Sequence, residues 1–182
     1  MRPALAVIAN VFTIFTLLIA GAASARDLNI SAFAGQWQGS GVSESEVSAT
    51  FSMTARDLNV AIEIQGDNFV VTTTTVQRKK GDPSNPQAVR KTSKREFIPG
   101  AKPGVWLAKG NGTPASGQAF TWARIKDQTL TITSVEVNKD GGSNMLIYDR
   151  SLTASGMKLE FRRLVDGFLV RTVSGPLIKL AK

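Results

Sequence analysis

The chain contains no cysteine and no histidine. The first absence excludes disulfides, thiol nucleophiles, thiolate metal sites and iron–sulfur clusters. The second removes the commonest general base and the commonest side-chain metal ligand. A serine nucleophile would then need a lysine base, and no Ser-x-x-Lys sits in a helical setting. Sustained helical periodicity is also missing, because no segment beyond residue 25 keeps its apolar residues at a 3.6-residue spacing. Aromatics are only 7% of the chain, and 14 acidic residues face 22 basic ones, for a net charge of +8. These shortages point away from enzymes and resident metals: no catalytic residue, metal or cofactor is expected.

The first 25 residues read as an export signal. Arg2 supplies a short positive start, Ala4 to Gly21 is mostly apolar, and Ala23-Ser24-Ala25 forms a small-residue cleavage site. Residues 26–182 are then one domain of a size that buries about 68–70% of its unfolded surface, enough for a core without disulfide staples. Export places the protein in a periplasm or outside the cell.

What the domain does contain is strand signal. Val47, Ala49, Phe51 and Met53 alternate with Ser48, Thr50, Ser52 and Thr54, and Val60, Ile62 and Ile64 repeat the alternation, as in half-buried antiparallel strands. Further strands are expected near Phe69–Val76, Lys94–Ile98, Val105–Ala108, Gln118–Ile125, Thr129–Asn138, Asn144–Thr153, Met157–Leu164 and Phe168–Leu180. Gly66-Asp67-Asn68, Asp127-Gln128, Ala154-Ser155-Gly156 and Asp166-Gly167 are turns of hairpin length. Such spacing predicts an all-β fold, a single antiparallel up-and-down barrel of about 8–10 strands, with helix limited to one turn near Leu28–Ala34. The apolar phase changes between Ile132 and Val135 and between Phe161 and Leu164, as β-bulges there would produce.

The segment Gly35-Gln36-Trp37-Gln38-Gly39-Ser40-Gly41 opens the first strand. It resembles the Gly-x-Trp signature of the calycin barrels, the lipocalins among them, and in its longer Gly-x-Trp-x-Gly-x-Gly form the ten-stranded nitrobindin-like barrels. The resemblance spans about a dozen residues. It implies that Gly35 and Trp37 form a structural plug at one barrel end, with a basic residue of the last strands, Arg171 or Arg162, over the indole. Nitrobindin-like proteins hold haem through a histidine; this chain has none, so the haem is not carried over.

Two candidate sites follow. Inward-facing apolar residues, Phe51, Met53, Ile62, Ile64, Phe69, Phe120, Trp122, Ile132 and Phe161, could enclose a small apolar or amphipathic ligand. Arg78, Lys79, Lys80, Arg90, Lys91, Lys94 and Arg95 stand against Asp82 alone, and as a loop with its flanks they could meet an anionic membrane, envelope surface or protein partner. Nucleic acid is not expected, because no aromatic residue interleaves the basic ones for base stacking. Glu63, Asp149 and Glu160 lie within strands and carry the weak case for an acid–base pair. The leading expectation is an exported, non-enzymatic binding protein of lipid-like ligands; the alternative is a filled barrel that docks through its basic 78–95 segment.

Overall fold

The computed structural model describes residues 27–48, 53–78 and 87–181. The export segment 1–25, Phe51, Lys79 and Lys80 lie outside these residues. A 3-10 turn at Ile30–Phe33, capped by the Asn29 side chain accepting from Ser31 N–H, leads into the first strand. Ten strands follow: β1 Gly35–Ser45, β2 Met53–Gln65, β3 Asn68–Arg78, β4 Ala88–Pro99, β5 Val105–Ala108, β6 Phe120–Lys126, β7 Thr129–Val137, β8 Ser143–Thr153, β9 Gly156–Val165 and β10 Phe168–Lys179. Each pairs antiparallel with the next, and β10 returns to β1, so the sheet closes on itself. The result is an all-β, ten-stranded up-and-down barrel, an architecture consistent with a calycin-like fold. Tight two-residue turns make this possible. Asp127 and Asp166 take positive φ values of 53° and 51°, the handedness that matches the twist of the flanking strands.

Period-two patterning decides which side chains enter the lumen. From β2, Leu58, Val60 and Ile62 point inward; Phe69 and Val71 from β3, Phe97 from β4, Leu130 and Ile132 from β7, and Met157 and Leu159 from β9 join them in one cluster. Phe69 and Phe97 stack with ring centroids 4.8 Å apart, and Trp106 meets Phe69 edge-on at 5.4 Å. This apolar mass fills the end where β1 begins. Trp37 seals it: the indole is buried, its Nε1 donates to the Phe33 carbonyl at 2.9 Å, and Lys179 Nζ lies 5.2 Å from the ring centroid. The cation over the indole is thus Lys179 rather than Arg171 or Arg162. Lys179 sits directly opposite Trp37 in the β1–β10 ladder, whereas Arg162 faces outward and pairs with Asp149.

The barrel closes on glycine. Gly39 and Gly41 on β1 run against Gly175-Pro176 on β10, and a Cβ on Gly41 would lie 2.5 Å from the Ser174 carbonyl oxygen and 2.8 Å from Leu58. Any larger residue would push the two strands apart at the seam.

Three expectations need correction. Phe120 and Trp122 face outward, since Thr121 between them is the fully buried residue, paired inward with Ser134. Met53 is 65% exposed because the neighbouring Thr54 takes the inner face. The phase changes do not mark bulges in β7 or β9: β7 keeps regular register with both neighbours, and Val135 and Val137 simply stand on the outer face. The slip in register lies in β10, between Leu169 and Arg171.

Candidate functional site

Strand β4 begins at Ala88, earlier than its apolar residues suggest, so Arg90, Lys91, Lys94 and Arg95 all lie in a strand and not in a loop. Its pleat divides the cations. Arg90 and Lys94 project outward, while Lys91 and Arg95 stand opposite Thr75 and Val71 on the inner face. Arg78 ends β3. Arg95 Nη1 donates to Thr121 Oγ1 at 3.1 Å, and Thr121 shares a 2.8 Å hydrogen bond with Ser134.

Four more arginines reach the same lumen: Arg56 on β2, Arg150 on β8, Arg163 on β9 and Arg171 on β10. Each extends or interrupts an inward apolar series. Arg56 precedes Leu58 and Val60, Arg163 follows Leu159 and Phe161, Arg171 precedes Val173, and Arg150 sits between Tyr148 and Leu152. With the apolar plug filling one end, these residues line a chamber in the other half of the barrel. It has two adjoining lobes that share Thr73, Leu146 and Tyr148. The inner lobe, about 230 Å³, is bounded by Arg95, Arg150 and the hydroxyls of Thr73, Ser93, Thr121 and Ser134. The outer lobe, about 330 Å³, is bounded by Arg56, Lys91, Arg163 and Arg171 together with Leu58, Leu159, Phe161 and Val173. Among the described residues no aspartate or glutamate lines either lobe. Each lobe is near the lower end of the ~300–1,000 Å³ range of small-molecule sites.

Arg150 is the unusual member. It is 2% exposed, and its Nη2 donates to Thr73 Oγ1 at 3.1 Å. Thr73 lies on β3, five strands from β8 in either direction around the ring, so the side chain spans the lumen. Its Nε and Nη1 are buried without a hydrogen-bond partner. Burial pulls the guanidinium pKa down from its ordinary value to about 10, against smaller opposing effects of Tyr148 and Asp149. Its Cζ lies 5.5 Å from the Tyr148 ring centroid. Burial raises the Tyr148 phenol pKa above 10, partly offset by the positive charges of Arg150 and Arg95.

At the outer lobe the cations crowd one another. Partial burial, and then the charge of Arg171, lowers the Arg56 pKa, and Arg56 Nε is buried without a partner. Arg163 is held in place: its Nε donates to Asn144 Oδ1 at 2.9 Å, and Asn144 Nδ2 donates to Glu136 Oε1 at 2.7 Å. An uncompensated guanidinium in a low-dielectric wall favours an anion in front of it.

Two of the three carboxylates meet, though away from the chamber: Asp149 and Glu160 stand opposite each other on the outer face of the β8–β9 ladder. Asp149 faces outward, accepting from Arg162 Nη2 at 2.6 Å and Thr131 Oγ1 at 2.7 Å; Glu160 pairs with Lys158 at 3.0 Å; Glu63 is exposed. Among the described residues no group of three acidic side chains could hold a metal ion. Of the apolar candidates, the structure places Ile132 and Phe161 on the chamber wall and Ile62 and Phe69 in the plug below it, with Ile64 at the half-exposed rim of the closed end. Phe120 and Trp122, ring centroids 6.1 Å apart, belong instead to the outer surface. Sequence reasoning missed Arg56, Tyr148, Arg150, Arg163 and Arg171 as lumen residues. Comparison of the chain with protein-family models and with curated protein sequences finds no match to either.

Proposed function

We propose that this protein is an exported, non-enzymatic barrel of calycin type that carries a small amphipathic anion in its chamber. One observation carries the reading: apolar walls of Leu58, Leu159, Phe161 and Val173 stand beside Arg56, Lys91, Arg163 and Arg171 with no carboxylate among them. A ligand bound there would bury its apolar body at about 25 cal/mol per Å² of surface removed from water. Its anionic group would meet guanidiniums that lack protein counter-charges, which supplies orientation and selectivity. Docking of the 78–95 segment to an anionic surface is the weaker reading. The pleat of β4 turns Lys91 and Arg95 away from the outside and leaves Arg90 and Lys94 there.

Titration calorimetry with decanoate and with decanol tests the proposal. Decanoate should bind with a Kd of about 1–10 μM, roughly 7–8 kcal/mol, and decanol at least tenfold more weakly. Arg163→Gln and Arg171→Gln should each weaken decanoate. Silence across acids of all chain lengths sinks the carrier reading.

A further inference from the structure

The chamber holds more positive charge than one anionic group can answer, and it holds that charge at two levels. In the β8–β9 ladder Arg150 stands opposite Leu159, and Arg163 stands opposite Leu146. The two arginine positions are therefore four residues apart along the strands, a distance of about 13 Å at 3.3–3.4 Å per residue. Between those levels the wall is apolar: Leu146, Tyr148, Leu159 and Phe161, with the Tyr148 and Phe161 rings 4.7 Å apart.

We propose that the inner lobe is a second oxyanion seat, formed by the buried Arg150 and the solvent-facing Arg95, and that the physiological ligand carries an oxyanion at each end of an apolar body. This rests on the carrier reading and specifies its substrate class. Several observations converge on the seat. Arg150 is fully enclosed, yet two of its guanidinium nitrogens have no partner. Arg95 lies on the same lobe and spends one donor on Thr121. Thr73, Ser93, Thr121 and Ser134 add hydroxyls to the lining. A carboxylate or phosphate-type group accepting from one of the two orphaned donors and from Arg95 would answer the enclosed charge; Nε–H and Nη1 point to opposite edges of the guanidinium, so a single group pairs with one of them. The far end of the same molecule would lie at the level of Arg163, Arg171 and Arg56.

The direct test compares sebacate, an alkyl diacid, with decanoate, the monoacid of the same chain length, by calorimetry on the full-length protein. In the wild type sebacate should bind at least tenfold more tightly. In Arg150→Met that preference should fall to about onefold. Arg95→Gln should reduce the preference in the same direction, which keeps the seat testable if Arg150→Met does not fold. Equal affinity of the two probes in the wild type overturns the inner seat and leaves the carrier reading standing. A diacid preference that survives both substitutions also overturns it. Failure of both probes to bind overturns the carrier reading and the seat together. An analogue of sebacate with one carboxylate replaced by phosphonate separates the two oxyanion sources: tighter binding than sebacate assigns a phosphate-type end, weaker binding a carboxylate.

Discussion

A guanidinium enclosed without a counter-ion weighs against the fold that encloses it. The drop of the Arg150 pKa from the ordinary arginine value to about 10 corresponds to about 3 kcal/mol at 1.36 kcal/mol per unit. Arg150→Met removes that penalty but also the Thr73 hydrogen bond and some packing, so the empty protein should gain about 1–2 kcal/mol, or roughly 2–6 °C in melting temperature. The sign of its pH dependence is fixed. The penalty is full below about pH 10; above that the native state releases the proton before the unfolded chain does, so wild-type stability recovers relative to the variant as the pH rises further. Thermal melts of both proteins at pH 7 and at pH 11 should show the gap narrowing. Tyr148 reports on the same spot because it is the chain's single tyrosine. Its phenolate absorbance should appear only above pH 10, since burial outweighs the neighbouring cations. Arg150→Met should move it higher still, because a charge favouring phenolate has gone. A titration left unmoved would mean that Arg150 and Tyr148 are not neighbours. The arginines themselves were legible in the sequence. Arg56-x-Leu58-x-Val60, Leu159-x-Phe161-x-Arg163 and Arg171-x-Val173 each set an arginine in phase with apolar residues, and two-residue periodicity sends all of them to one side. A dense local run of charge at 78–95 drew attention from these isolated ones.

Among the elements, the β1–β10 seam makes the sharpest demand on residue size. Gly41→Val would press a side chain onto the Ser174 carbonyl and Leu58, and should destabilise the protein by about 2–4 kcal/mol in urea unfolding. Gly66 has φ +65° and nothing within 4 Å of an added Cβ, so Gly66→Asn should cost less than about 1 kcal/mol. Equal losses at the two positions would deny the seam its close contact. The strands and hairpins were readable because alternation and turn residues coincide, most clearly in β2 and at Asp127-Gln128 and Asp166-Gly167. The facing of β6 was not. Phe120 and Trp122 are larger and more apolar than Thr121 and Ala123, and hydrophobicity alone would turn them inward. Thr121 wins the inner position because its hydroxyl binds Arg95 and Ser134 there, and the aromatics join Leu107, Val135 and Ile147 along the outside. The start of β4 was obscured in the same way, since a strand lining a cationic chamber does not carry the apolar inner face by which strands are recognised.

On the scale of the whole molecule, the excess of positive charge has an inside and an outside. Lumen cations without counter-charges should make stability depend on the anion supplied. Inorganic phosphate should raise the melting temperature of the wild type more than that of Arg150→Met at matched ionic strength. At a concentration one hundred times its Kd the expected stabilisation is about 2.7 kcal/mol. The variant subtracts the general salting effect that phosphate exerts on any protein, so identical shifts in the two proteins would leave no specific anion contribution. The indole stopper beneath the chamber, tied to Phe33 and covered by Lys179, makes the barrel a blind tube. Cargo cannot be displaced from behind; it must pass where Lys91, Ser93 and Arg95 meet solvent, so unloading falls to whatever competes for the cations there.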